Sequence, residues 1–320
     1  MLTKAFLDVL NSYTAGDPMD ANVRWTHLHP REICQLMLEK HQVNTSKTVV
    51  KKLLNQHRFR RRKAQKKVTM GSNVNRDAQF KKIAELRAQY EVEGNPIVSV
   101  DTKKKEQIGN FYRNGHLYTQ ETVRVNDHDF PSAATGVVIP HAIYDLAYNH
   151  GYVHLGTSKD TSQFACESIL HWWQTVGSQL YPQATSILLL CDGGGSNSSH
   201  YYIFKQELQQ LANIIGVEIR VAHYPPYCSK YNPIEHRLFP HVTRACQGVV
   251  FSSVAIVKEL VARTKTSTGL AVTVAIFNKV YETGRKVSQT FRENMPIIFD
   301  DHLPKWNYRA VPQLPSGTVI

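Results

Sequence analysis

The sequence predicts an α/β protein: a mixed sheet with helices on both faces, preceded by a small helical domain. Three observations predict it. Short apolar strands alternate with amphipathic helices from residue 97 onward. Two short helical patterns separated by a polar break precede them. The positive charge is gathered ahead of residue 95.

The chain has 320 residues, enough for two domains, and a hydrophobic fraction of 42% that can build a real core. No apolar run approaches the roughly 18 residues needed to cross a bilayer. Asp8 interrupts the only apolar stretch near the start, which argues against a signal peptide. A cytoplasmic, nucleoid-associated protein with no membrane partner is expected. The five cysteines form no C-x-x-C pair and the 15 histidines are scattered. That pattern favours reduced thiols and no structural zinc. The net charge is +12. Residues 1–94 hold 18 Lys/Arg against 9 Asp/Glu, while 95–320 are nearly balanced. A segment so charged suits a polyanion, and nucleic acid is the usual one.

Residues 1–23 read as a short helical start. Residues 24–70 read as a helix-turn-helix with a basic arm. His29-Pro30 opens the first helix, with proline suited to the first helical position. Thr45 or Ser46 caps the second. That second helix buries Val49, Val50, Leu53 and Leu54 and shows Lys47, Lys51, Lys52 and Gln56. The run RFRRRKAQKK follows, with Arg58, Arg60, Arg61, Arg62, Lys63, Lys66 and Lys67 as candidate phosphate contacts; a solvated linker is the plainer alternative. Residues 71–95 form a connecting helix and linker closed by Gly94-Asn95-Pro96.

Residues 96–300 hold the larger domain. IVSVD is a strand ending in an acid, and NFYRNGHLYTQETV reads as a hairpin because Asn-Gly is a strong two-residue turn signal. Strands over 137–148 and 151–156 come next, then a helix from Thr161 to Leu180 with a core tryptophan pair. ILLLCD is a strand buried on both faces. A helix over 199–215, the strand EIRVAHY and a helix from Asn232 to about Cys246 complete the set. The proline-rich tail, 301–320, reads as irregular.

This element order is that of a ribonuclease-H-like catalytic core. In it the first and fourth strands lie side by side, so Asp101 and Asp192 emerge at one edge. Glu235, in the first turn of the last helix, can reach the same point. Three converging carboxylates repel unless cations hold them. Two Mg²⁺ or Mn²⁺ ions about 3.5–4 Å apart would relieve that repulsion and give a phosphoryl-transfer site. Each acid has a plainer alternative. Asp101 can simply end a strand, Asp192-Gly-Gly-Gly can be a tight loop, and Asn232-Pro-Ile-Glu235 can be a capping box. The triple glycine lacks the G-K-[ST] of a P-loop, so a nucleotide cradle is disfavoured. Lys103, Lys104 and Lys105 follow the first acid and are candidate DNA contacts; a solvated turn is the alternative. Asn197, His223 and His236 lie near the acids in sequence and are candidates for orienting DNA or water.

The blocks VSVDTKKKEQIGNF, YDLAYNHGYVHLGTS, CDGGGSNSSH and HYPPYCSKYNPIEHRLF resemble the Rhodopirellula-type DDE transposases of bacterial insertion sequences, over residues 22–310. The P-P-Y-x-S-x-x-N-P-I-E block is also similar to the mariner-like group. The resemblance implies that Asp101, Asp192 and Glu235 are the acidic, metal-binding triad. It further implies Mg²⁺- or Mn²⁺-dependent cleavage at element ends and strand transfer into target DNA. Double-stranded DNA and further copies of the chain are the expected partners. The family carries more DNA-binding helices ahead of the point matching Arg24 than the short start seen here, so impaired end recognition is a corollary. The alternatives are a ribonuclease-H-like nuclease without strand transfer, and a truncated or inactive DNA-binding relative.

Overall fold

Apolar residues at helical spacing build the first of the two units into which the chain divides, residues 1–68 and 69–320. The computed structural model describes residues 1–17, 19–62 and 73–313. In the first unit, α1 (Leu2–Ser12) is followed by an antiparallel pair, β1 (Ala15–Asp17) and β2 (Asp20–Trp25), then by α2 (Pro30–His41) and α3 (Lys47–Gln56). The start of the chain is therefore helical only to Ser12. The helix pair matches the sequence reading. Phe6, Val9 and Leu10 of α1 pack with Ile33 and Met37 of α2 and with Val50 and Leu53 of α3. Burying each large side chain contributes about 1.5–3 kcal/mol, so three short helices that would be marginal alone hold together. Glu32 accepts the backbone N–H of His29 at the head of α2, and Ser46 Oγ accepts that of Val49 at the head of α3. Gln42 leaves α2 in the left-handed region, with φ of 54°.

The second unit begins with α4 (Arg76–Glu93), which Gly94 closes at φ 66°. The strands β3 (Ile97–Thr102), β4 (Glu106–Ile108), β5 (Gly136–Asp145) and β6 (His150–Gly156) follow. Then come α5 (Ser162–Trp172), a π-helical turn over Trp173–Gly177, α6 (Ser178–Leu180), β7 (Ser186–Cys191), α7 (Tyr202–Ile215) and β8 (Glu218–His223). Beyond β8 lie α8 (Pro233–Arg237), α9 (Phe239–Ala245), α10 (Val254–Ala262), β9 (Ala271–Phe277), α11 (Gln289–Glu293), β10 (Ile298–Phe299) and β11 (Asn307–Ala310). The sheet runs β10-β11-β8-β7-β3-β5-β6-β9, with β4 paired to β5. Strands β3, β7 and β8 are parallel, and β5 is antiparallel to both β3 and β6. The first and fourth strands of the expected order, β3 and β7, are neighbours, with Val100 opposite Cys191.

Alternation along the strands buries both faces. Val98, Val100, Ile187 and Leu189 face a core completed by Ile169 and Trp172 of α5 and Phe204 and Leu208 of α7. Ile97, Leu188 and Leu190 face Ile83, Leu86 and Tyr90 of α4. On that second side, Ala142, Tyr144 and Val153 pack with Ile234 and Leu238 of the α8–α9 region. Gly151 admits Leu238: a Cβ there would lie 2.6 Å from a Leu238 methyl.

Three expectations are corrected. Residues 110–123 form no hairpin. Asn114-Gly115 instead packs on the Gln247-Gly248 turn: Gly248 N–H donates to Asn114 O at 3.1 Å, and a Cβ on Gly115 would come within 2.7 Å of Gln247 Cβ. The turn signal had no flanking alternation of apolar residues to pull it into a strand pair. The helix expected from Asn232 to Cys246 is two helices, interrupted at Leu238, because Pro240 cannot donate a helical hydrogen bond. The tail is not irregular throughout. Residues 307–310 form β11 antiparallel to β8, with Tyr308 and Ala310 buried in the core.

Candidate active site

Strand parity aims the acids. Asp101 shares a face of β3 with Ile97 and Ser99, the face that α4 and α8 cover. Asp192 follows the last residue of β7 on the neighbouring parallel strand. Glu235 lies in the first turn of α8.

The placement of α8 is fixed from β3 rather than by a capping box. Ser99, fully buried, donates its hydroxyl to Asn232 Oδ1 at 2.5 Å and accepts the backbone N–H of Ile234 at 3.0 Å. Asn232 Nδ2 also reaches Val100 O at 3.5 Å. Ser99 thus takes over the cap that Glu235 or Asn232 would otherwise provide, and the Glu235 carboxylate is free of that role.

Asp101 feels the other two acids. Burial, then the charge of Asp192 and the nearby Glu235 carboxylate, push Asp101 up to about 9; the N–H of Thr102, 2.7 Å from Asp101 Oδ1, only partly offsets this. Burial also raises Asp192, whose Oδ1 accepts the Gly194 N–H at 3.2 Å. An acid displaced that far sits in surroundings that favour a cation beside it. Among the described residues no three His, Cys, Asp or Glu are drawn together as a formed metal cage. The Asp101 and Glu235 side chains nonetheless lie close enough to interact directly, and a hard, oxygen-only donor set of this kind suits Mg²⁺ or Mn²⁺.

A buried network holds Asp192. His223 donates from Nδ1 to the Asp192 carbonyl at 2.9 Å and accepts the Tyr308 hydroxyl at Nε2, at 2.8 Å. Burial pushes His223 down to about 4, so the ring stays neutral and keeps this tautomer. Gln79 of α4 donates to His223 O and exchanges hydrogen bonds with Asn307 of β11. His223, expected near the acids, is thus a positioning group sealed from solvent. Its partners Tyr308, Gln79 and Asn307, and the capping Ser99, were not read from the sequence; their contacts span 85 to 228 residues, beyond any local pattern. Asn197 is buried with an unpartnered Oδ1, and burial lowers the pKa of His236.

The cationic candidates divide. Lys103 is drawn onto Glu106 at 2.6 Å, and Arg113, stacked on Phe251, shares that carboxylate. Lys104 and Lys105 are exposed and free of ion pairs. In the first unit, Lys47, Lys51, Lys52, Gln56, Arg58, Arg60, Arg61 and Arg62 are all exposed, and among the described residues no carboxylate pairs with the cations. Lys63, Lys66 and Lys67 lie outside the described residues.

A sheet with parallel central strands, acids at the ends of two neighbours and a third acid on the following helix is the arrangement expected of a ribonuclease-H-like core. Residues 5–312 match the family described as the Rhodopirellula transposase DDE domain, and the chain belongs to that family of DNA transposases. Solved structures of similar shape include the Mos1 transposase paired-end complex with left transposon end, at 12% identity and a TM-score of 0.44 over 80% of this chain and 68% of that one. The Mos1 strand transfer complex matches at 11% and 0.43, over 80% and 68%. The mariner Mos1 paired-end complex with Mg matches at 13% and 0.42, over 79% and 76%. No curated protein matches. No described helix is long and apolar enough to cross a membrane.

Proposed function

We propose that Asp101, Asp192 and Glu235 are the catalytic acids of this transposase, binding divalent cations and acting on double-stranded DNA at element ends and then at a target. The observation that carries the reading is geometric: Asp101 on β3 and Asp192 after β7 lie at the ends of neighbouring parallel strands, and Ser99 and Asn232 seat the Glu235 helix against β3. Bound cations supply charge neutralisation at the phosphate and activation of the attacking oxygen. The chain's own part is placement. Ser99 and Asn232 lock the Glu235 helix onto the Asp101 strand, and His223 fixes the Asp192 backbone. Rigid acids cost no reorganisation when charge develops at the phosphate. The exposed cations of residues 47–62, with Lys63, Lys66 and Lys67, would bring DNA to the site as phosphate contacts. Mos1 complexes are described with transposon-end DNA and with Mg or Mn, which accords with this reading of partner and cation.

The test is Asp192→Asn. Cleavage of a plasmid carrying the inverted repeats that flank the gene should fall at least ~100-fold, with DNA affinity within about twofold of wild type, since one lost ligand weakens cation capture and not phosphate contacts. Wild-type cleavage by the variant would remove Asp192 from the site. Joining of a pre-cleaved 3′-hydroxyl end to target DNA by the wild type separates transposition from simple hydrolysis.

A further inference from the structure

The segments that follow two of the acids continue into a second polar cleft. Lys105 lies four residues beyond Asp101, and Ser196 four beyond Asp192. Together with Asp160, Ser162, Gln163 and Glu282 they line a cleft of about 410 Å³. Its floor is the head of α5, an 11-residue helix. Thr161 takes the N–H of Phe164 on its hydroxyl and that of Ala165 on its carbonyl, which leaves the leading amides of Ser162 and Gln163 at the floor. Such a terminus favours an anion.

A second observation points to a ligand. Ser196, 8% exposed and lining the cleft, has a hydroxyl with no hydrogen-bond partner. Buried polar groups are nearly always paired, so an orphan hydroxyl at a cleft wall marks a partner that arrives from outside. The loop that carries it is firmly held. Ser162 donates to Ser196 O at 2.8 Å, and the Lys205 ammonium donates to Ser199 O at 2.5 Å. Lys105 supplies an exposed cation without an ion pair. Two lining acids, Asp160 and Glu282, have no cationic partner among the described residues and oppose the anion. Asp160 takes the Thr102 hydroxyl at 3.3 Å, Arg285 is committed to Glu207 and Gln163, and Glu282 is exposed on the rim.

We propose that this cleft holds a backbone phosphate of the DNA strand being cut, a neighbour of the phosphate at the three acids. The proposal rests on the reading of Asp101, Asp192 and Glu235 as the cutting site and extends it by one station along the strand. Lys105 and the α5 amides meet the phosphate charge, and the Ser196 hydroxyl donates to one of its oxygens. The contact reads no base, so it sets the register of the strand over the acids.

The experiment uses the full chain and the repeat-bearing plasmid, with the initial cleavage rate followed against DNA concentration at several salt concentrations. Lys105→Ala should raise the half-saturating DNA concentration and flatten its log–log salt dependence by about 0.9, the share of one phosphate contact. Ser196→Ala should raise it about 2- to 10-fold with the salt slope unchanged, as for one neutral hydrogen bond, while leaving thermal stability at or above wild type because an unpaired hydroxyl is removed. Glu282→Gln should act in the opposite direction and tighten the DNA. Wild-type saturation curves in both Lys105→Ala and Ser196→Ala would overturn the cleft while leaving the acids in place. A fall in stability of Ser196→Ala, matching its loss of activity, would show a structural hydroxyl and also overturn it. A wild-type chain that cuts no such plasmid would overturn the underlying reading instead.

Discussion

Ser99 shows how much of the site depends on a side chain that touches no phosphate. Its hydroxyl both caps α8 and holds Asn232, in a place with no access to water. Ser99→Ala leaves two buried groups unpaired and should cost about 2 kcal/mol of stability, read as a fall in the midpoint of urea unfolding. Because Glu235 rides on that helix, turnover should also drop roughly 10- to 100-fold with little change in DNA affinity. A variant with unaltered turnover would mean that α8 is positioned by its apolar contacts alone. From the sequence, Asp101 and Asp192 were readable because each ends an apolar strand. Glu235 was readable only as one of two competing roles. The contact that relieves Glu235 of the capping role joins residues more than a hundred positions apart, and no periodicity carries such information.

Among the elements, α3 and the basic run after it would, under the proposed function, divide recognition from attraction. The face of α3 that carries Lys47, Lys51, Lys52 and Gln56 is exposed while Val50 and Leu53 are buried, so the helix can enter a groove without unpacking. Replacing Arg58, Arg60, Arg61, Arg62, Lys63, Lys66 and Lys67 with Ala should flatten the salt dependence of duplex binding by about 3–4 if roughly four of them touch phosphate. Affinity should fall alike on an element end and on a scrambled duplex. Changing Lys51, Lys52 and Gln56 should instead alter the preference between the two. Fluorescence anisotropy at graded salt reads both, and an unchanged slope would make the arm a solvated linker. The helices were legible through caps and spacing. The segment after β4 misleads because its turn signal has no strands to join, and β11 is hidden because prolines around it obscure the alternation of Trp306, Tyr308 and Ala310.

At the scale of the whole molecule, the sheet buries histidines that take no part in the site. His141 on β5 and His154 on β6 lie opposite one another, with His171 of α5, Phe164 and Phe277 around them. Burial holds His141 down at about 3 and His154 well below its ordinary range. Both stay neutral when folded but take up protons when unfolded, so their contribution is complete above about pH 6.5 and is lost as pH falls below it, toward about 3 for His141. At pH 5 His141 should cost about 2 kcal/mol relative to pH 7, and His154 adds a loss of the same sign. Thermal melts from pH 7 to pH 5 should show a steep fall that His141→Leu reduces. A variant with the same pH profile as wild type would place the proton uptake elsewhere. The overall topology was legible because strand and helix periods alternate cleanly. The buried imidazoles were not, since fifteen scattered histidines look alike in a sequence.

The strand β11 ties enzymatic competence to the order of synthesis. It is among the last described residues to leave the ribosome, yet its Tyr308 hydroxyl seats the His223 ring on the Asp192 carbonyl, and its Asn307 ties in Gln79 from the opposite end of the unit. A nascent chain that already displays the basic helix, and can already hold DNA, would still lack a properly seated Asp192. Under the proposed function, cleavage would then be withheld until β11 has been made. A chain stopped before Asn307 should retain duplex binding through residues 24–67 and fail to cleave. Full cutting by that shortened chain would show that the final strand is dispensable for assembling the acids.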